Sequence, residues 1–258
     1  GKDHTKKGSG YKPFKRWETY WRDFVKEDGT LPTPSEMQHV LREKQAMSAK
    51  VADESNWQSM GPYAHTNTGS WSSGQGRVNV ITVDPNNQDV IYIGAPAGGI
   101  WKSTDGGVNW TPLSDELLQI GVSAIAIDNR NSNVIYIGTG DDDAGDSYSI
   151  GLLKSTDGGT TWNPTGLSFT NNSSFINEVY LDPSNQDKVF VSSNQGFYKS
   201  IDAGTNFTKT LNQNLNDIKI KPWDSNVIYA VNDNDVYKST DNGDTFQLAD
   251  TGLPFSSG

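Results

Sequence analysis

The chain has 258 residues, no cysteine, and 21 Lys and Arg against 31 Asp and Glu, for a net charge of −10. Without thiols, disulfide staples, cysteine nucleophiles and thiolate metal sites are excluded, and no apolar run nears the roughly 18 residues that a membrane-spanning helix needs. Residues 1–50 carry 11 Lys and Arg against 7 Asp and Glu, so the body that follows has a balance of −14, which argues against a nucleic-acid partner. With 26 Gly, 8 Trp and abundant Asn, Ser, Thr and Asp, the composition suits short strands joined by many turns, an all-β fold. No basic-then-apolar leader opens the chain, and any such segment is expected to have been removed before Gly1.

In chain order, residues 1–55 read as a helical N-terminal extension and 56–258 as one repetitive β-domain. Phe14, Trp17, Trp21 and Phe24 recur at helical spacing, with Tyr20 beside them, which predicts an amphipathic helix over residues 13–26. Pro32 and Pro34 interrupt it, and a second helix is expected from Ser35, its N-cap, to Met47. The aromatic stripe reads as a packing face that docks on the side or bottom of the β-domain. The basic residues around Lys2, Lys6, Lys7, Lys12, Lys15 and Arg16 read as a solvated tail.

Beyond the extension, four segments obey S-x-D-x-G-x-x-[WF]. They are Ser103, Asp105, Gly107, Trp110; Ser155, Asp157, Gly159, Trp162; Ser200, Asp202, Gly204, Phe207; and Ser239, Asp241, Gly243, Phe246. Their serines are 52, 45 and 39 positions apart, the length of one four-stranded propeller blade. Upstream of each box the same order recurs. An alternating strand such as Val78–Val83 runs into an Asp84-Pro85-Asn86-Asn87 turn, then Val90–Ile93, a loop, and Gly99–Lys102. Four blades near 75–112, 121–164, 177–209 and 216–248 are therefore expected. Turn chemistry accounts for the box: the Asp accepts backbone N–H bonds, the Gly supplies φ > 0, and the ring closes the space between blades. Its aspartates are read as structural, not catalytic. Gly258 falls about where a fifth blade would open, and the ring is expected to be incomplete in these residues.

The S-x-D-x-G-x-x-W boxes after D-P-x-N turns resemble the Asp-box, or bacterial neuraminidase repeat, propellers. That family includes sialidases, two-propeller xyloglucanases, the luminal domain of sortilin and a photosystem assembly factor. Gly10-Tyr-Lys-Pro-Phe-Lys-Arg-Trp-Glu18 ahead of a sortilin-like propeller is similar to large exoproteins of the bacterial type IX secretion system. The resemblance implies a secreted or surface-displayed bacterial propeller, with outer-membrane secretion machinery among its partners. It also implies a functional face on the loops between second and third strands, opposite the boxes.

Three activities can be weighed on that face. The blades hold only Arg77 and Arg130, too few for the arginine triad of a sialidase, and no F-R-I-P-like segment occurs. In the stretch Gly94–Gly99, Pro96 stands where the resemblance to xyloglucanases implies a catalytic Asp. The third possibility is recognition of a glycan or protein without catalysis, the leading expectation; a glycoside hydrolase with its carboxylates elsewhere, or an accessory of secretion, are the alternatives. From second-strand aromatic to box serine the blades measure 11, 19, 10 and 10 residues. The second blade therefore carries an acidic insertion with Asp141, Asp142, Asp143, Asp146 and Tyr148, the candidate ligand-binding loop. Asp141, Asp143 and Asp146 are candidate Ca²⁺ ligands, although the bidentate Glu of an EF-hand is missing. His4, His39 and His65 lack zinc-binding spacing, and no phosphate-binding Gly-rich loop is present. Trp71, Trp101, Tyr148 and Trp223 are candidates for stacking on sugars, with core packing preferred for Trp101.

Overall fold

The computed structural model describes residues 11–22, 25–48, 76–115, 117, 121–141, 147, 149–169, 173–249 and 251. Two helices come first, α1 (Tyr11–Trp21) and α2 (Pro34–Ser48). The first stops earlier than the aromatic spacing suggests: Lys26 and Thr30 close a tight turn, Lys26 N–H to the Thr30 carbonyl at 2.8 Å, with Gly29 at φ +80°. The second is capped by Thr33, not Ser35. The Thr33 hydroxyl accepts from Glu36 N–H at 3.3 Å, and the Glu36 carboxylate accepts from Thr33 N–H at 2.7 Å. This reciprocal capping box outcompetes a serine already inside the first turn. The side chains of Trp17, Tyr20 and Trp21, and residue Phe24, lie outside the described residues, as does the docking expected of them.

The remainder is all-β. Four antiparallel meanders follow one another: β1 (Val80–Asp84), β2 (Asn87–Ala95), β3 (Gly99–Ser103), β4 (Thr111–Pro112); β5 (Val122–Ile127), β6 (Ile135–Thr139), β7 (Leu152–Ser155), β8 (Asn163–Pro164); β9 (Ile176–Asp182), β10 (Asn185–Ser193), β11 (Gly196–Ser200), β12 (Thr208–Leu211); and β13 (Asp217–Ile220), β14 (Ile228–Val231), β15 (Val236–Ser239), β16 (Gln247–Leu248). Each is a propeller blade of four strands in sequence order.

A two-residue side-chain period gives each blade two faces, and both must be covered. In the second blade Ile125, Ile137 and Leu153 lie in one cross-strand row and turn back toward the first blade, where they meet Tyr92 and Ile100. Ala124, Ala126, Tyr136 and Leu152 turn forward onto Val179, Leu181, Val189 and Val191 of the third. Phe190 and Phe197 then face Ile218, Ile228 and Ala230 of the fourth. The core is thus three successive seams, not one centre. Close approach is secured by small residues: a Cβ on Gly138 would lie 2.5 Å from the Ile176 side chain.

The four box turns are nearly superimposable in their bonding. Each serine hydroxyl donates to the Asp (2.8, 2.8, 2.8 and 2.7 Å) and accepts from the Gly N–H (2.9, 2.9, 2.9 and 2.8 Å). In every box the carboxylate also accepts from the residue before the ring. Asn109, Thr161, Asn206 and Thr245 each give a backbone N–H at 2.9 Å and a side-chain donor at 2.6, 2.7, 2.8 and 2.6 Å. Two consecutive left-handed residues make the turn, Gly106, Gly158, Ala203 or Asn242 followed by the box Gly. The closing ring packs backward: Trp162 Nε1–H donates to the Leu113 carbonyl of the previous blade at 3.0 Å, and Phe246 meets Phe197 edge-on at 4.8 Å.

A lysine precedes every box, and the first three staple the seams. Lys102 lies 5.2 Å from the Tyr92 ring centre and donates to the Gly158 carbonyl of the next box at 3.4 Å. Lys154 repeats this over Tyr136 at 5.1 Å and donates to the Ala203 carbonyl at 3.0 Å, and its burial pushes the ammonium below its ordinary pKa. Lys199 reaches Asp244 of the fourth box at 2.7 Å.

Two measurements test this construction. Trp162→Ala, which empties a buried inter-blade site and orphans the Leu113 carbonyl, is expected to cost about 3–5 kcal/mol in urea unfolding. Hydrogen bonds also hold the box carboxyls low. Asp105 falls to about 2 through the Asn109 N–H and Asp202 to about 2 through the Asn206 side chain. Asp241 lies low through Thr245; Asp157 is lowered by Thr161 despite burial working the other way. Unfolded aspartate titrates near 3.9, so this stabilisation is complete above about pH 4 and is lost as pH falls toward about 2. Thermal melts from pH 7 to 2 are expected to show the loss there, and Asn at the four positions to flatten it.

Candidate functional site

The face opposite the boxes is formed by the turns β2–β3, β6–β7, β10–β11 and β14–β15 and by the connections between blades. One of its tight points is Gly121, which opens the second blade. A Cβ there would lie 2.1 Å from the Ser147 hydroxyl, 2.6 Å from the Pro96 carbonyl and 2.7 Å from the Gly140 carbonyl. The first and second blades are therefore pressed together at the root of the acidic insertion, with Pro96 on one side and Gly140 on the other.

Asp141 follows directly and is buried, with 1% of its surface exposed. One guanidinium nitrogen of Arg77 donates to both of its carboxylate oxygens at 2.6 Å, and the Asn79 amide donates to one of them at 3.2 Å. Its own N–H donates to the Ser147 carbonyl at 3.0 Å, closing the base of the loop. A carboxylate withdrawn this far from water needs a compensating charge. Arg77, at the entrance to the first blade, supplies it across 64 positions of sequence. Beside this pair runs a polar layer in which the Thr139 hydroxyl meets the Ser149 hydroxyl at 2.8 Å and donates to the Gly151 carbonyl at 2.6 Å. The buried hydroxyls of Ser147, Ser174 and Ser192 have no hydrogen-bond partner among the described residues.

Of the predicted ligand-binding residues, Asp141 is thus placed as the anchor of the loop, while Asp142, Asp143, Asp146 and Tyr148 lie outside the described residues. Among the described residues no group of three or more His, Cys, Asp or Glu is arranged to hold a metal ion. Pro96 sits in the β2–β3 turn on this face, with no carboxylate in its place. Trp101 does not pack in the core. Its Nε1–H donates to the Gly98 carbonyl at 2.8 Å, and its ring lines an open groove with Arg77, Val78, Ile93, Pro96 and Trp110. The third strand buries this row only where a preceding blade covers it, and none of the described residues covers it here. Trp223 is fully exposed at φ +67° in the β13–β14 turn, at the box end of the fourth blade and away from the loop face. Trp71 lies outside the described residues. The Arg77–Asp141 pair escaped sequence reasoning because nothing local links an entry-segment arginine to a loop in the next blade; the charge excess of the insertion was its only signal.

No family model matches the chain. Over 42 residues, 16% of this chain and 5% of the relative, it is 50% identical to a xyloglucanase of Hypocrea jecorina (strain QM6a). Its fold is similar to that of an ancestral GH74 enzyme, with TM-score 0.60 and 25% identity over 69% of this chain and 26% of the other. A GH74 xyloglucanase from Xanthomonas campestris gives TM-score 0.51 and 14% identity over 65% of this chain and 29% of that enzyme. YCF48 bound to D1 peptide gives TM-score 0.50 and 14% identity over 70% and 55%. The chain spans well under two thirds of the length of each of these proteins. It is an all-β chain of propeller blades, related to the propellers of GH74 xyloglucanases.

Breaking the buried pair tests its anchoring role. Arg77→Met, which takes the guanidinium away from the buried Asp141 carboxylate, is expected to destabilise by about 3 kcal/mol. Adding Asp141→Asn is expected to recover part of that loss, read as a coupling energy in a double-mutant cycle of urea melts.

Proposed function

We propose that this chain is part of a secreted or cell-surface bacterial propeller that binds a glycan through its loop face and does not hydrolyse it. The relation to GH74 xyloglucanases supports a polysaccharide ligand. The observation that carries the non-catalytic reading is the pairing of Pro96, in the turn where the resemblance implies an acid, with Asp141 committed to Arg77. Glycoside hydrolysis takes two carboxylates flanking the bond, one of them able to give up a proton. A carboxylate held by a guanidinium is a fixed anion, suited to positioning a loop. The box repeats support membership of the Asp-box propellers, and the sequence of residues 10–18 supports export by type IX secretion. In this reading Asp142, Asp143, Asp146 and Tyr148 make the ligand contacts, and any Ca²⁺ bound by the insertion relies on Asp143 and Asp146 more than on Asp141.

A second reading, a glycoside hydrolase, is favoured by the 50% identity to a xyloglucanase over 42 residues. Calorimetric titration with xyloglucan oligosaccharides, run beside a reducing-sugar assay, separates the two. Binding with a dissociation constant of roughly 10 µM to 1 mM and no release of reducing ends is expected. Binding is expected to weaken in a variant with Asp142, Asp143 and Asp146 changed to Ser. Release of reducing ends would favour the hydrolase, and absence of heat with any plant or bacterial polysaccharide would overturn the glycan reading.

A further inference from the structure

The first strands of successive blades lean on one another where they surround the propeller axis. The Thr82 hydroxyl donates to the Ile125 carbonyl at 3.1 Å, the Ser123 hydroxyl to the Ile176 carbonyl, and the Lys219 ammonium to the Glu178 carboxylate at 3.3 Å. Along β1, β5 and β9 these contacts leave a cavity of about 360 Å³. Neither the box turns nor the loops of the opposite face line it.

Pro85, Ile127, Leu181 and Pro183 give this cavity apolar walls, and Glu178 is the one carboxylate among the described residues that line it. No lysine, arginine or histidine among the described residues joins them. Lys219 donates to Glu178 Oε2 from the fourth blade, and no donor among the described residues bonds to Oε1. Burial raises the Glu178 carboxyl above its ordinary pKa, although Lys219 works the other way. Gln186 also lines the cavity and is 5% exposed. Its Nε2–H donates to the Asp182 carbonyl at 3.1 Å, which fixes the amide, and its Oε1 has no partner among the described residues. A buried acceptor left without a donor costs on the order of 1–3 kcal/mol. The turn does not itself impose this: Gln88, in the same turn position of the first blade, is exposed. Glu178 and the Asp182 that holds Gln186 are four residues apart on β9, about 13 Å.

We propose that this cavity binds a linear diamine. One ammonium pairs with Glu178 Oε1, the methylene chain covers Ile127, Leu181 and the two prolines, and the second ammonium donates to Gln186 Oε1. Walls that offer acceptors and one negative charge select a ligand of donors and positive charge. Charge-assisted hydrogen bonds answer both open oxygens, and the apolar stretch between them suits a ligand whose middle carries no polar atom.

Calorimetric titration of the 258-residue chain with hexamethylenediamine, in salt of about 0.15 M so that surface charges are screened, tests this. A dissociation constant of roughly 0.1–1 mM is expected. Glu178→Gln is expected to weaken binding about tenfold or more, and Gln186→Met about fivefold. Asp89→Asn, which changes an exposed carboxylate outside the cavity, is expected to leave it unchanged. Hexylamine, with one ammonium, is expected to bind about fivefold more weakly than the diamine and to be indifferent to Gln186→Met. The comparison of the two amines on the wild type carries the second contact if Gln186→Met does not fold by circular dichroism. No heat with the diamine overturns the proposal, and so does binding that survives Glu178→Gln or equal affinity for the two amines. Displacement of the diamine by a xyloglucan oligosaccharide or by Ca²⁺ also overturns it, since the cavity would then be a sugar subsite or a general cation site.

Discussion

The structure depends on the seam between blades. A four-stranded sheet with apolar residues on both faces cannot bury either face by itself, and its shortest strands, such as Thr111–Pro112 and Asn163–Pro164, add little hydrogen bonding. Stacking solves this once per blade. Ile125, Ile137 and Leu153 turn back, Tyr136 and Leu152 turn forward, and the same division recurs at each step. Stability is then set by nearest neighbours, as in other repeat architectures. The box turn is what makes the seam repeatable: it fixes the end of the third strand, aims the ring backward and presents a carbonyl or carboxylate to the previous blade's lysine.

That division of labour explains where function can sit. The box end is saturated by short, repeated hydrogen bonds and differs little from blade to blade. The opposite end is where the blades differ, and there the second blade departs most, with a buried Asp141 clamped by Arg77 and a polar layer around Thr139 and Ser149. The similarity to GH74 propellers concerns the scaffold, and a scaffold of this kind carries many chemistries. In the proposed reading, Pro96 and the committed Asp141 favour binding over hydrolysis.

Much of the fold was legible in the sequence because turn chemistry is local. Ser, Asp, Gly and an aromatic at fixed offsets announced each box, and alternation with D-P-x-N turns announced the strands before it. What remained hidden was either subtle or distant. The Asn or Thr before each ring, which donates twice to the box Asp, and the lysine before each box are regular in the sequence, but their meaning appears only when the next turn is seen. Ala203 and Asn242 adopt left-handed backbone where sequence alone asks for glycine, because the turn over-determines them. Trp101 was expected in the core because it lies inside the third strand; which blade would cover it there could not be read from the strand alone. The Arg77–Asp141 pair joins two blades, and the acidic insertion marked only one of its partners in the sequence. At the helices, Thr33 with Glu36 competed with Ser35 for the cap, and the completed box decided it.

The central claim is that the seam, and not the sheet, is the unit of stability. Circular dichroism and proton NMR on two excised segments, residues 121–169 with one blade and residues 121–211 with two, test it directly. The single blade is expected to be unfolded, with unresolved amide signals, and the pair to show dispersed signals and a cooperative melt. A single blade that folds cooperatively by itself would contradict the account.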